Sequence, residues 1–258
     1  MSTDDNITIR SRYALNYKGI PIKTEWVELP DFEALYQNLG LVATSQKSDG
    51  TPRYTLPVIY DPNTSQTISE SMAIARYLDK TYPDTPLLFP RGTHAFHAVF
   101  AEKGDWLYHS LFNVVCYATW SRMNERSQVV YRATREAVFG RKLEEVLTHK
   151  DWEEAEKAFD VVDQWLRANL QEGEGRDELV MGDTICFADI VIASALVWLK
   201  VTLGSDSKGW ARIMSWNEGK WGRIVTRFAK YEVIDGEVVS LVLWSFQVGD
   251  RKSHTPIC

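Results

Sequence analysis

The fold is decided by residues 54–82, which read YTLPVIYDPNTSQTISESMAIARYLDKTY. Their first seven residues are rich in β-forming side chains, and the turn-forming sequence DPNT at residues 61–64 separates them from a second β-rich run at residues 66–69. Two such runs joined by a turn are typical of a β-hairpin. Residues 70–82 carry apolar side chains at helical spacing and stop before Pro83, so a helix is expected to follow the hairpin directly.

Two features of this segment are candidates for binding. Pro57 interrupts a β-rich run, which indicates either an edge strand or a cis Leu56-Pro57 peptide that turns the N–H and C=O of Leu56 outward, where an extended peptide ligand could pair with them. Glu70 and Ser71 stand at the start of the helix. Free N–H groups, the positive end of the helix dipole and the serine hydroxyl can hold a carboxylate there, and plain capping is the alternative.

The rest of the first half alternates between helix and strand, and the second half is helical. Upstream of the hairpin the pattern predicts a helix at residues 10–18, a strand at 23–29, a short helix at 32–39 and a loop at 45–53. Residues 83–90 contain three prolines, which indicates a domain boundary. Helices are then expected at residues 94–123, 128–139, 142–170 (with a kink near Gly140), 187–200 and 210–231.

Two further patterns concern folding. Asp189 follows Cys186 by three residues at the start of the most apolar helix, which predicts a capping box with Cys186 at the cap position. Residues 238–246 (VVSLVLWSF) are apolar and strand-like, but the sequence assigns this strand no partner.

Composition excludes several classes of protein. The chain has 258 residues, a net charge of −6 and 45% hydrophobic residues, which is ordinary for a globular protein and unsuited to a disordered or nucleic-acid-binding one. Its three cysteines (Cys116, Cys186 and Cys258) form neither a disulfide framework nor a zinc-ligand spacing. No apolar run is long enough to span a membrane, and the polar, acidic N-terminus is unlike a signal peptide. We therefore expect a reducing, cytoplasmic location.

These motifs together resemble those of cytosolic glutathione transferases, and more narrowly the fungal etherase-related class, which is similar to bacterial β-etherases that cleave lignin-type aryl ethers. The resemblance is carried by residues 12–19, 23–29, 54–59, 70–78, 187–190 and 216–231. It implies an α/β thioredoxin-like N-terminal domain over residues 1–86 that binds glutathione, and an all-α C-terminal domain over residues 92–235. Residues 236–258 are left as an atypical tail.

The resemblance also implies a function. The expected activity is conjugation of glutathione to apolar aromatic electrophiles, or glutathione-dependent cleavage of aryl ethers, with glutathione as co-substrate and no metal. The alternative is a protein of the same fold that binds and sequesters aromatic compounds with little turnover, and a third possibility is a regulatory or scaffold module. The family suggests a homodimer, with no nucleic-acid or membrane partner.

Carried over by position, the resemblance assigns site residues. The backbone around Leu56, with Pro57 and Val58, would pair with the cysteinyl unit of glutathione, and Glu70 and Ser71 would hold its γ-glutamyl end. Four aromatic residues of the first long helix are candidates to line the acceptor pocket, with ordinary core packing as the alternative: Trp106, Tyr108, Phe112 and Tyr117.

The match fails at the N-terminus. The family places a β-strand and then a loop with a catalytic hydroxyl or thiol ahead of the first helix, and only nine residues precede Arg10. The first β-strand is therefore expected to be missing or replaced. Glutathione must react as a thiolate, which needs a nearby donor, and the closest hydroxyls are those of Thr8 and Ser11. A helix N-cap is the alternative role for either residue.

Overall fold

The N-terminal part of the chain forms short helices and strands in the expected order. The computed structural model describes residues 4–47, 49–171, 178–234 and 241–245. Its first eight elements are α1 (Asp4–Tyr17), β1 (Ile22–Trp26), α2 (Phe32–Asn38), β2 (Ser45–Gln46), β3 (Pro52–Arg53), β4 (Val58–Asp61), β5 (Gln66–Ser69) and α3 (Ser71–Thr81). Strands β4 and β5 pair antiparallel, so the predicted hairpin is confirmed. The predicted loop at residues 45–53 contains one small hairpin, made by β2 and β3.

Long helices make up the second half. They are α4 (His94–Ser121), α5 (Glu125–Phe139), α6 (His149–Gln171), α7 (Phe187–Leu203), α8 (Lys208–Ser215) and α9 (Lys220–Phe228). Helix α7 packs against α1 and α4 and is buried on nearly every side, as its sequence predicts. The predicted kink near Gly140 is a full break: Gly140 adopts a left-handed backbone with φ 65° and ends α5.

The prediction of one continuous helix over residues 210–231 is wrong. Trp216 takes an extended backbone after α8, and Asn217 and Glu218 both have positive φ angles (48° and 59°). Gly219, also left-handed, then precedes α9. Three consecutive residues with positive φ cannot continue a right-handed helix. The apolar spacing of residues 210–231 therefore extends over two separate helices, α8 and α9, each of which buries apolar side chains.

The strand-like tail has a partner after all. Residues Leu241–Ser245 form β6, and the sheet has the order β1-β6-β4-β5. Strand β6 runs parallel to β1 and antiparallel to β4. The expected replacement of the missing strand is therefore confirmed, because a strand from the far end of the chain fills the place between β1 and β4.

A partly buried carboxylate, that of Asp79, fastens the linker between the two halves. Asp79, near the end of α3, accepts hydrogen bonds from the backbone N–H groups of Leu88 (3.0 Å) and Phe89 (2.9 Å) and from the Lys18 Nζ atom (2.7 Å). Lys18 is almost fully buried and also donates to the carbonyl of Pro86 at 3.1 Å. These bonds fix the proline-rich linker against α1 and α3. Within the described ranges, no helix is both long and apolar enough to cross a membrane.

Asp61 organises the turn of the β4–β5 hairpin, and we expect its loss to weaken the fold. Its buried carboxylate accepts hydrogen bonds from the hydroxyls of Tyr77 and Tyr82 (both 2.6 Å) and from the N–H of Asn63 (2.9 Å). Burial alone would raise the pKa of Asp61, but these hydrogen bonds outweigh it and hold the pKa below its ordinary value. Asp61→Asn is expected to lower the free energy of unfolding at neutral pH by about 1–2 kcal/mol, because the ionic acceptor is lost.

The pH dependence follows from the sign of that shift. A carboxyl whose pKa is depressed in the folded state stabilises the fold above its unfolded value of 3.8 and loses that contribution as the pH falls through the folded value. Urea unfolding at a series of pH values should show that the difference in free energy of unfolding between the native protein and Asp61→Asn becomes smaller as the pH falls. An exposed control, Asp84→Asn, should show no such gap, and a constant gap for Asp61→Asn would contradict the prediction.

Candidate functional site

The binding candidates of the first domain meet at one edge of the four-stranded sheet. Strands β1 and β6 are parallel, while β4 is antiparallel to both β6 and β5. Consequently β1, β5 and β6 end at the same edge, at Trp26, Ser69 and Ser245, and β4 begins there at Val58. Helix α3 starts at this edge too, at Ser71. The topology thus brings the peptide ahead of β4 and the start of α3 together.

The Leu56-Pro57 peptide bond is cis, which decides between the two alternatives for Pro57. The Leu56 residue is buried, with 1% of its surface exposed. Described pairing of β4 begins at Val58, so the main-chain N–H and C=O of Leu56 lie outside that ladder. Main-chain groups in this position can pair with an added extended peptide.

Glu70 combines an unusual backbone with a site-facing contact. It has φ 73° and ψ 123°, a conformation that costs a residue with a Cβ of the order of 1–3 kcal/mol and that clusters at functional sites. Its carboxylate accepts a hydrogen bond from the Thr55 hydroxyl at 3.1 Å, so the side chain reaches back toward the segment that precedes β4. Helix α3 has no side-chain cap, and its first residue Ser71 is buried. Its first N–H groups are therefore not occupied by a capping side chain.

A chain of hydrogen bonds holds residues 53–55, which lie ahead of β4, in place. The Tyr36 hydroxyl donates to the Thr55 carbonyl at 2.5 Å, and the Thr55 hydroxyl also contacts the Thr44 hydroxyl at 3.0 Å. Thr44 in turn donates to the Arg53 carbonyl, through both its N–H and its hydroxyl, at 3.0 Å. Sequence reasoning missed Tyr36, Thr44 and Thr55. The only available signal was that Thr55 adjoins Leu56, because the bonds join segments that share no local periodicity.

The two hydroxyls considered for thiol activation lie inside α1. Thr8 is 1% exposed and Ser11 is 0% exposed, and the Ser11 hydroxyl has no hydrogen-bond partner among the described residues. Since α1 begins at Asp4, the alternative role of either residue as a helix N-cap is wrong.

Two of the four acceptor-pocket candidates are buried between helices. The Tyr108 hydroxyl accepts from Arg10 Nε at 3.2 Å and donates to the Val191 carbonyl at 3.0 Å. Tyr108 thereby links α1, α4 and α7. Phe112 is 3% exposed and stacks on Phe139 with ring centroids 6.0 Å apart.

The other two candidates are partly exposed. Trp106 is 38% exposed and lies 6.3 Å from Trp165, measured between ring centroids. Tyr117 is 41% exposed and packs on Trp120 at 5.4 Å. The four side chains thus have separate neighbours, with Trp106 and Tyr117 offering the exposed aromatic surface.

The described residues do not support thiol chemistry by a cysteine or binding of a metal ion. Cys116 and Cys186 are both fully buried, and burial raises the pKa of each thiol, which disfavours the reactive thiolate. Across the described ranges there is no group of three or more His, Cys, Asp or Glu side chains that could hold a metal ion.

Comparison with known proteins gives two family-model matches. Residues 7–81 match the model of the glutathione S-transferase N-terminal domain, and residues 93–231 match that of the glutathione S-transferase C-terminal domain. In sequence, the chain is 28% identical over 231 residues to the glutathione S-transferase-like protein ustS of Aspergillus flavus, covering 83% of this chain and 79% of that protein.

Solved structures of fungal proteins are closely similar. The glutathione transferase GSTFuA3 from Phanerochaete chrysosporium is 44% identical with a TM-score of 0.86, covering 90% of this chain and 92% of that one. The glutathione S-transferase CsGST63524 of Ceriporiopsis subvermispora, solved in complex with glutathione, is 41% identical with a TM-score of 0.84, covering 92% and 95%.

Proposed function

This chain belongs to the glutathione transferase family, which uses glutathione, and we propose that it transfers glutathione to apolar aromatic electrophiles or uses it to cleave aryl ethers. The observation that carries the proposal is Glu70. Its carboxylate accepts a hydrogen bond from the hydroxyl of Thr55, the residue that precedes Leu56, and the main chain of Leu56 lies outside the pairing described for β4. We infer that glutathione lies along this edge of the sheet.

The chemistry of glutathione fits the groups at this edge. Leu56 would pair its main chain with the cysteinyl unit, as an added strand does. The carboxylate of Glu70 suits the ammonium of the γ-glutamyl end, and Ser71 with the first N–H groups of α3 suits the carboxylate of the same end. The γ-glutamyl unit would then be held through both of its charged groups, while the cysteinyl unit lies along Leu56.

The reaction requires a thiolate. Loss of the thiol proton to solvent gives a sulfur that attacks an electrophilic carbon, so that a C–S bond forms and the leaving group departs with its electron pair. With an aryl ether the leaving group is a phenolate, which takes up a proton from water. Thr8 and Ser11 in α1 are the hydroxyls that sequence reasoning proposed as donors to the sulfur, with Trp106, Tyr108, Phe112 and Tyr117 proposed beside the acceptor.

A second function, binding without turnover, is favoured by a separate cavity of about 390 Å³ in the helical domain. Phe96, Phe100, Trp165 and Ile192 line it, with Lys103 as its charged member. Ring stacking and burial in such a space suit aromatic compounds. Turnover of chlorodinitrobenzene, measured beside quenching of tryptophan fluorescence by the same class of compound, separates transfer from sequestration. A homodimer and a cytoplasmic location stay predictions.

The proposed glutathione site predicts a loss of binding. Glu70→Ala combined with Ser71→Ala removes two polar partners of the γ-glutamyl end. Hydrogen bonds to charged groups contribute ~1.5–3 kcal/mol each, so the loss of both partners should weaken glutathione binding by at least about 100-fold. Retention on immobilised glutathione and calorimetric titration measure this. Exposed Glu154→Ala with Ser205→Ala is the matched control, and unchanged retention of the Glu70/Ser71 variant would show that the γ-glutamyl site is elsewhere.

A further inference from the structure

We propose that Thr55 determines which thiols this site accepts. By fixing the carboxylate of Glu70, it makes a free ammonium group on the first residue of the co-substrate a condition for tight binding. The proposal rests on the proposed function, in which Glu70 meets the ammonium of the γ-glutamyl unit. Thr55 acts through Glu70, so it is a positioning residue and does not have to touch the ligand.

The two oxygens of the Glu70 carboxylate have different surroundings. Oε1 accepts a hydrogen bond from the Thr55 hydroxyl at 3.1 Å. Within the described part of the chain, neither a hydrogen bond nor an ion pair occupies Oε2, and the Glu70 residue is exposed. One oxygen is thus anchored, while the other is open to a ligand.

The direction of the Thr55 proton follows from its neighbours. Two oxygens face the Thr55 hydroxyl, Glu70 Oε1 at 3.1 Å and Thr44 Oγ1 at 3.0 Å. An ionised carboxylate only accepts hydrogen bonds and is a stronger acceptor than a hydroxyl, so the single proton of Thr55 is directed to Glu70. Thr55 Oγ1 can then accept from the Thr44 hydroxyl, because the Thr44 N–H still serves the Arg53 carbonyl.

Both ends of the hydrogen bond between Thr55 and Glu70 are held by other contacts. The Thr55 carbonyl accepts from the hydroxyl of Tyr36 at 2.5 Å, and Tyr36 is fully buried. On the other side, the Glu70 carbonyl accepts the N–H of Ile74 at 2.8 Å, which joins Glu70 to the first turn of α3. The position of the carboxylate is therefore set by the fold of the domain before a ligand arrives.

A carboxylate held in this way discriminates between ligands by charge. Because its side chain is already oriented, less conformational entropy is lost when a cation binds to Oε2. An ammonium group supplies both the opposite charge and N–H donors. A ligand with a neutral group at the same place would cover a carboxylate without compensating it, which is unfavourable. The site should therefore prefer thiols that carry the free γ-glutamyl ammonium.

The test compares two ligands on each variant of the full chain. They are glutathione and its deamino analogue, in which hydrogen replaces the amino group of the γ-glutamyl unit. Calorimetric titration gives the ratio of their two dissociation constants. A general disturbance of the site weakens both ligands alike, so this ratio reports recognition of the ammonium.

Thr55→Val keeps the shape of the side chain and removes its hydroxyl. The loss of one hydrogen bond to a charged group should lower the preference for glutathione by about 10-fold, and the smaller Thr55→Ala should give the same result. Thr55→Ser keeps the hydroxyl and should restore the native ratio. Thr134→Val, at an exposed position of α5, should leave the ratio as in the native chain.

A second comparison asks whether Thr55 acts through Glu70. Glu70→Ala should abolish most of the preference for glutathione. In that background Thr55→Val should cause no further change, because the two residues form one coupled unit. A further fall on adding Thr55→Val would overturn the positioning role.

The remaining outcomes separate this role from the proposed function. A native chain that binds neither ligand overturns the proposed function, and the role of Thr55 with it. A native chain that binds glutathione and turns over chlorodinitrobenzene, but whose Thr55→Val and Thr55→Ala variants keep the native ratio, overturns the role of Thr55 alone.

Discussion

Replacing Asp189 by alanine is expected to lower the free energy of unfolding by about 3 kcal/mol, since each buried N–H left without an acceptor costs ~1–3 kcal/mol. The Asp189 carboxylate accepts hydrogen bonds from the N–H of Cys186 at 2.8 Å and from the N–H of Val180 at 2.6 Å. It is 2% exposed, so water cannot easily take the place of the lost acceptor. The loss falls at the start of α7, the helix that packs on both α1 and α4.

Urea or thermal unfolding measures this effect. Burial raises the pKa of Asp189 from 3.8 to about 6, so the folded state binds a proton more tightly than the unfolded state does. The contribution of Asp189 is then greatest below the unfolded pKa and decreases as the pH rises through about 6. The difference in free energy of unfolding between the native chain and Asp189→Ala should therefore increase on mild acidification.

Asp183 provides the matched control for this prediction. It is exposed and lies six positions before Asp189 in the chain, so Asp183→Ala should change stability by no more than ~0.5 kcal/mol. Equal effects of the two substitutions would contradict the capping role of Asp189.

The capping box was predictable because its signal is local. Cys186 and Asp189 are three residues apart at the start of an apolar run, and both bonds of the box are present. The hydrogen bond from Val180 was not predictable, because it comes from a preceding segment with no helical or strand period. Local chemistry thus identifies the helix start, while the second buried donor depends on the tertiary fold.

The strands that pair with β6 could not be predicted from local sequence either. The residues around Leu241–Ser245 are strand-like by composition, but β6 pairs with Ile22–Trp26 and Val58–Asp61, which lie far away in sequence. Nothing in the local pattern distinguishes these partners from any other strand. The position of β6 between β1 and β4 therefore depends on the tertiary fold.

In the candidate site, the backbone features of single segments were easier to predict than the contacts between segments. A proline within a β-rich run left the cis Leu56-Pro57 peptide as one of two alternatives, and the end of the hairpin predicted Glu70 at the start of α3. The bond between Glu70 and the Thr55 hydroxyl depends on how the two segments meet at the sheet edge. The aromatic candidates of α4 were ambiguous for a related reason: helical spacing places Tyr108 on a face, but only packing shows that α1 and α7 cover it.

Lys220→Met is the second substitution for which a large loss of stability is expected. Lys220 is 1% exposed, and its Nζ atom forms an ion pair with Asp163 Oδ1. Asp163 also accepts a hydrogen bond from Arg167 Nε at 2.7 Å. Removing one partner of a buried pair leaves a charge that neither water nor protein fully compensates, which costs ~3–5 kcal/mol. Because Arg167 remains beside Asp163, the lower end of that range is expected.

A double substitution distinguishes charge from packing in the same site. If the cost of Lys220→Met arises from the uncompensated carboxylate, adding Asp163→Leu should restore most of the stability, since a buried ion pair replaced by apolar side chains is often neutral. If the cost arises from lost packing of the lysine stem, the second substitution should make the loss larger. Exposed Lys157→Met, on the same helix as Asp163, gives the baseline. A Lys220→Met effect no greater than this baseline would show that the ion pair is solvated, and the contact between α6 and α9 would then have to rest on its apolar side chains.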